Sequence, residues 1–413
     1  MDAQLEFMLS SSGAVLIEGP KWCGKSTTAR MRAASVIEMD EPGNMENLAN
    51  LARVAPALIL EGATPRLIDE WQAAPVLWDA VRHEVDRRGV MAQFILTGSS
   101  TPMDKSAIFH SGTGRITKLK MRTMSLYESE DSDGFVSLTA MFGGEAPKSH
   151  VVPMNIHRLA YLICRGGWPM SLDLEPRASL QQAKNYLKAV VESDMSAADG
   201  VRKDPVKTYS LIRSLARNVS TRTPLSTLLD DLQAGDGSMS APTATSYLNA
   251  LKAIHLLDDL DAWNPNLRSK AAIRTSPTRH FVDPSIAVAA LGIAPEELVR
   301  DLKTMGLVFE SLAIRDLRVY ADAIGGQVFH YRDSSDLECD AIVRLDNGSW
   351  GAFEIKLSEH FVEDGARTLR SLAERVDTER MGNPSFLAVL TGDAYSYVRD
   401  DGIFVVGIGS LKP

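Results

Sequence analysis

Residues 14–28 read AVLIEGPKWCGKSTT: an apolar run, then Gly19-Pro20-Lys21-Trp22-Cys23-Gly24-Lys25-Ser26, which satisfies GxxxxGK[ST] at each fixed position. These residue types suit the capture of a phosphate. A buried strand must turn sharply into a helix so that backbone N–H groups and the helix N-terminus converge on the anion. Gly19 and Gly24 permit the turn and the close approach because neither carries a Cβ. The Lys25 ammonium can reach the β- and γ-phosphates of ATP, and the Ser26 hydroxyl can ligate Mg²⁺. Thr27, the first residue beyond the motif, completes the candidate nucleotide-binding set. A plain glycine turn before a helix is the competing reading. The order strand, loop, helix weighs against it.

Chemistry on a bound triphosphate needs a metal ligand and a base. Arg66-Leu67-Ile68-Asp69-Glu70-Trp71-Gln72 is a short apolar strand ending in two acids. Asp69 is assigned to Mg²⁺ and Glu70 to activation of the attacking water. The alternative is an acidic first turn of a helix, favoured by its dipole. Gln93–Ser100 (QFILTGSS) is another apolar strand ending in hydroxylated residues, and Thr97 and Ser99 are candidates to contact the γ-phosphate or orient water. Arg115 precedes the alternating stretch Ile116–Met121 and is a candidate to stabilise γ-phosphate charge, in its own subunit or from a neighbour; Arg122 is the second candidate.

The elements that must hold these residues follow from hydrophobic patterning. Residues 1–12 read as a short helix laid over a sheet or a neighbouring subunit, 36–40 as a strand, and 56–60 as apolar but ambiguous. At 413 residues two to three domains are expected. A net charge of −9 argues against sequence-blind nucleic-acid binding over the whole surface. Three scattered cysteines, the lack of a leader pattern and the lack of a long apolar run point to a cytoplasmic protein with no membrane contact.

The phosphate loop, IDEWQ, FILTGSS and GR-x-x-x-L-x-x-R-x-x-S-L-Y-E, in this order and spacing, resemble a family of bacterial and archaeal ATPases. Its members pair an AAA+-like nucleotide domain with a C-terminal domain of unknown function. Arg165-Gly166-Gly167-Trp168-Pro169 is similar to that family's GG-x-P turn, whereas the acidic, glycine-containing segment after Glu128 departs from its pattern. The resemblance implies an AAA+-like P-loop domain and a nuclease-like second domain, and leaves room for a homo-oligomer with Arg115 supplied in trans. Together with the patterning of the chain itself, the expected fold is α/β: the P-loop domain with a parallel sheet over 1–127, a helical connector over 128–205, a winged-helix-like domain over 206–265, and the nuclease-like α/β domain over 266–413.

Within 155–200 the three- and four-residue spacing predicts helices; Glu192 and Asp194 are functional candidates, although an exposed helix face suits both. Residues 206–262 carry the order of a winged helix-turn-helix, with Thr243–Lys252 as the groove-entering helix. One lysine and no arginine on that helix favour a structural or protein-contacting role over DNA reading.

A second constellation lies at the C-terminus. Glu354-Ile355-Lys356 sits on a strand whose alternation points both charges to one side, and Asp340 begins a neighbouring strand. Asp340 and Glu354 can share a hard cation, Lys356 can position water or stabilise phosphate charge, and Glu310 can complete the site from a helix. The pattern resembles D-xₙ-E-x-K of the PD-(D/E)XK nuclease-like fold, which the resembling family's second domain also shares. Solvated strand-end charges are the bland alternative. Three functions follow: an Mg²⁺-dependent ATPase that controls a nucleic-acid- or protein-binding module, an ATP-regulated Mg²⁺-dependent nuclease, or a nucleotide-dependent binding or sensor protein.

Overall fold

The computed structural model describes residues 1–98, 111–198, 200–233, 237–265, 276–333 and 335–413. Five strands, β1 (Ala14–Glu18), β2 (Ser35–Glu38), β3 (Arg66–Asp69), β4 (Phe94–Gly98) and β5 (Ile116–Lys120), form a parallel sheet ordered β2-β3-β4-β1-β5. Parallel pairing buries both faces, and β1 and β4 accordingly read as continuous apolar runs. Alternation divides β1 between two apolar layers. Val15 and Ile17 meet Leu5 and Leu9 of the helix Asp2–Ser11, so this helix lies on the sheet of its own chain. Ala14 and Leu16 share the other layer with Trp71, Trp78 and Val81. Pro56–Leu60 is a short helix with proline at its first turn, where the missing N–H costs nothing.

The chain forms two compact units, each assembled from separate stretches. The first is Met1–Thr123 with Glu192–Lys203 and Ser246–Leu256; the second is Met124–Val191, Asp204–Thr245 and Leu257–Pro413. Both units are discontinuous in sequence, whereas the stretches expected from it are linear. The stretch 128–205 contributes to both units. Its two-residue strands β6 (Val136–Ser137) and β7 (His150–Val151) pair with strands from the end of the chain. Strands this short carry no periodicity, and only their distant partners define them.

In the second unit, β8 (Gly326–Arg332), β9 (Glu338–Leu345), β10 (Trp350–Lys356), β11 (Leu387–Thr391), β12 (Tyr395–Val398) and β13 (Phe404–Gly407) join β7 in a seven-stranded mixed sheet ordered β7-β12-β13-β11-β10-β9-β8. β14 (Leu411–Lys412) pairs with β6. The helix Val362–Arg375 lays Val362, Ala366, Leu369 and Leu372 against Trp350, Ala352, Val389 and Val405. The described residues of 206–281 include most of the helix Pro205–Arg217, the helices Leu225–Gln233 and Ala241–Ala253, the last passing into the first unit at Ser246, and antiparallel bridges at Leu257–Phe281 and Leu260–Thr278. No helix among the described residues is long and apolar enough to cross a membrane.

The 22-residue helix Leu302–Ala323 carries a buried ion triad. Arg315 lies 3.1 Å from Asp283 and 2.6 Å from Asp316, and the two carboxylates have no side-chain exposure. Asp316 accepts from Leu126 N, and Asp283 from Gly167 N at 2.9 Å. Gly167 is required there, since a Cβ would come within 2.0 Å of the Met124 carbonyl oxygen. Replacing Arg315 with methionine keeps the volume but leaves two buried carboxylates without a cation. The Arg315→Met variant is expected to lose about 3–5 kcal/mol, measured by urea unfolding; a loss below about 1 kcal/mol would contradict this account of the triad.

Candidate functional site

Parallel strands bring their C-terminal ends to one edge, and the phosphate loop leaves β1 there. A Cβ on Gly19 would come 2.2 Å from the Met121 carbonyl oxygen, so only glycine lets the loop pass beside the end of β5. Gly24 turns with φ of 100° immediately before the helix Lys25–Arg32. That left-handed geometry is open to glycine at little cost. Lys25 is 6% exposed, and its Nζ donates to the carbonyls of Gly19 (3.0 Å) and Pro20 (2.6 Å). Trp22 is exposed with a positive φ, and Cys23 is buried, its thiol pushed above its ordinary pKa by burial. Thr27 lies in the first turn of the helix, and Lys21 pairs with Asp194 at 2.6 Å.

Asp69, 5% exposed at the end of β3, gathers the neighbouring groups. Its Oδ1 accepts from Ser26 Oγ at 2.8 Å and from Thr97 Oγ1 at 2.5 Å, and its Oδ2 lies 3.2 Å from Arg30. Glu70 follows in a left-handed conformation, φ 52°. Such a backbone costs of the order of 1–3 kcal/mol in a non-glycine residue and clusters at functional sites. Burial raises the Glu70 pKa, opposed by its hydrogen bond from Gln72 and by the charge of Lys25.

The residues present fit a nucleotide with Mg²⁺. The glycine cradle has no room for a Cβ beside Met121. A hydroxyl and a carboxylate already in contact are the sparse protein donors that magnesium takes alongside phosphate oxygens and water.

Three sequence assignments stand differently. Arg115 lies at the opposite end of the sheet: its carbonyl accepts from Ala14 N at the start of β1, and its Nε lies 2.7 Å from Asp86. It cannot serve the phosphate loop of its own chain, whereas Arg122 follows β5 at the loop end. Asp194, expected on an exposed face, is buried against Lys21, because the helix Pro176–Ala189 passes into a π-helical turn at Val190–Asp194 that re-aims its side chains. No sequence signal marked that pairing. Ser99 lies outside the described residues.

In the second unit, β9 and β10 pair antiparallel through Ala341–Phe353, which sets Asp340 across from Glu354. Lys356 Nζ lies 2.6 Å from Glu354 and 3.5 Å from Asp340, and Asp340 also accepts from Ile355 N. Glu354 is 3% exposed, and its Oε1 has no hydrogen-bond partner. Burial, then the charge of Asp340, pushes Glu354 up to about 8. Burial would lower Lys356, but Asp340 and Glu354 hold it above its usual range. Glu310, on the helix Leu302–Ala323, is raised well above the carboxylate range by burial and by Asp340. Among the described residues, however, no three His, Cys, Asp or Glu side chains are gathered closely enough to hold a metal ion. The ammonium of Lys356 is the cation that faces both Asp340 and Glu354.

Three family models match successive parts of the chain: an AAA domain at 11–130, a domain of unknown function (DUF8612) at 156–297 and another (DUF4143) at 305–411. Uncharacterized proteins of Mycobacterium tuberculosis and Mycobacterium bovis are each 25% identical over 360 residues, covering 86% of this chain and 72% of theirs. A Walker-type ATPase of Pyrococcus abyssi aligns at TM-score 0.41 with 14% identity, over 70% of this chain and 94% of its own. A RuvB variant of Thermotoga maritima aligns at 0.22 with 16% identity, over 62% and 84%. Likenesses this slight carry no argument. The AAA match, with the parallel sheet and glycine cradle it spans, supports a P-loop ATPase domain in the N-terminal part of the chain.

Proposed function

We propose that this protein binds and hydrolyses ATP with Mg²⁺, and that its nucleotide state controls a C-terminal nucleic-acid- or protein-binding module. The observation that carries the reading is the 2.8 Å contact between Ser26 and Asp69, which joins the phosphate-loop helix to the acid-bearing strand. In this reading the backbone N–H groups of Lys21–Ser26 donate to the phosphates, and Lys25 exchanges the carbonyls of Gly19 and Pro20 for phosphate oxygens. Ser26 and Asp69 hold the metal, while Thr97 orients Asp69. Magnesium, when bound, neutralises charge on the β- and γ-phosphate oxygens. Glu70, its proton affinity raised by burial, accepts a proton from the attacking water. Arg122 is the arginine of this chain suited to γ-phosphate charge; Arg115 can act only from a second copy. The helices Pro205–Arg217, Leu225–Gln233 and Ala241–Ala253 and the antiparallel bridges among the described residues of 205–281 are compatible with a winged-helix-like module. Its helix Ala241–Ala253, with Lys252 as its one cation, favours protein contact over DNA reading.

The Lys25→Ala variant is expected to lose ATP hydrolysis and most nucleotide binding. Glu70→Gln is expected to keep ATP bound while kcat falls about 10²- to 10⁴-fold. Phosphate release and nucleotide titration measure both; full turnover by Lys25→Ala would refute the assignment, and lost binding in Glu70→Gln would make Glu70 structural.

A second reading, an ATP-regulated Mg²⁺-dependent nuclease, is favoured by the unpartnered Oε1 of buried Glu354 opposite Asp340. Plasmid and single-stranded substrates with Mg²⁺ or Mn²⁺ test it: cutting lost in Glu354→Ala supports it, and no cutting by the wild type in any nucleotide state favours a binding module. The same residue makes stability depend on pH. Between the ordinary carboxyl value of 4.5 and about 8, the folded chain holds a proton on Glu354 that the unfolded chain has released. The contribution of this group to stability therefore falls as pH rises through that window. Urea unfolding at pH 5, 6.5 and 8 should show the wild type losing stability relative to Glu354→Gln as pH rises; equal slopes in the two proteins would count against it.

A further inference from the structure

We propose that Asp194 is a positioning residue for the phosphate loop, acting through Lys21, and that nucleotide binding is registered at residues 192–198 through this pair. The inference rests on the nucleotide-site reading above. Asp194 is 9% exposed, and its Oδ1 lies 2.6 Å from Lys21 Nζ. The Asp194 side chain is 12% exposed and that of Lys21 47%, so the carboxylate is shielded while the ammonium reaches it from the solvent side. Lys21 adjoins Pro20, whose carbonyl receives Lys25 at 2.6 Å, so neighbouring loop residues are held from two directions. Trp22, next along, bends the loop through a positive φ of 66°.

Asp194 ends the π-helical turn Val190–Asp194, a rare geometry that recurs at functional sites. The stretch that carries it belongs to the first unit, whereas the chain on either side, up to Val191 and from Asp204, belongs to the second. It is anchored inside the first unit. Lys203 N donates to Ser196 Oγ at 3.0 Å, Lys203 Nζ to Ser246 Oγ at 3.1 Å, and the same ammonium stands 5.3 Å from the Tyr247 ring centroid. Lys21, Asp194, Ser196, Lys203 and Ser246 thus link the three stretches of that unit in series.

A phosphate bound to the loop amides orders Lys21. The entropy of fixing Lys21 is then already lost, and its pair with Asp194 tightens. Linkage is reciprocal, so the pair must also strengthen nucleotide binding.

Hydrogen exchange of the intact chain, with and without the non-hydrolysable analogue AMP-PNP and Mg²⁺, tests this. In the wild type the amides of 192–198 are expected to exchange about fivefold more slowly when nucleotide is bound. Asp194→Asn should lose that slowing and bind the analogue about fivefold more weakly, while Asp194→Glu, which keeps the charge, should retain both. A wild type that binds nucleotide with no change at these amides, or an Asp194→Asn protein that slows as the wild type does, overturns the inference and leaves the nucleotide site standing. A wild type that binds no nucleotide overturns the nucleotide-site reading and this inference together. Should Asp194→Asn fail to fold, the wild-type comparison still decides.

Discussion

The Asp69 carboxylate is the constraint on which the edge of the sheet beside the phosphate loop depends. β4 lies between β1 and β3, so the helix that follows β1 reaches the acid of β3 only across an intervening strand. Ser26 makes that reach, and Thr97 on the intervening strand bonds the same Oδ1. Three strand ends are thereby tied at one atom, buried where an unsatisfied charge would be costly. Arg30 adds an ion pair to Oδ2 from an exposed position, where such pairs contribute little. The spacing between phosphate loop and acid is therefore a property of packed strands and not of mobile loops.

The second unit solves a different problem. The segment after β5 and the turn at Gly166–Gly167 bring backbone N–H groups into the interior without strand partners. Asp316 and Asp283 accept from Leu126 and Gly167, and Arg315 compensates the charge this introduces. Buried backbone donors must find acceptors. Here the acceptors are carboxylates, and the arginine is their consequence.

Much of this was legible locally. The phosphate loop announces itself by residue type, apolar runs marked β1, β3 and β4, and two-residue alternation put Glu354 and Lys356 on one side of β10. What stayed hidden is what chain distance cannot encode. Arg115 reads as a candidate for γ-phosphate charge in its own subunit or from a neighbour, but parallel register with β1 pairs Ile116 with Ala14 and sends Arg115 to the far end of its own sheet. Asp194 was given to solvent because a 3.6-residue period was carried through a stretch that winds as a π-helix. β6 and β7, at two residues each, exist only by virtue of partners near the chain end.

The interleaving of the chain also has a consequence for its biosynthesis. All five strands of the first sheet have been made by residue 120, yet Asp194, the partner of Lys21, comes later in the chain and the last stretch of that unit ends at Leu256. A ribosome releasing this polypeptide exposes the sheet long before it can supply the pieces that finish it. The nascent first unit must wait, incomplete, while more than a hundred residues of the second emerge.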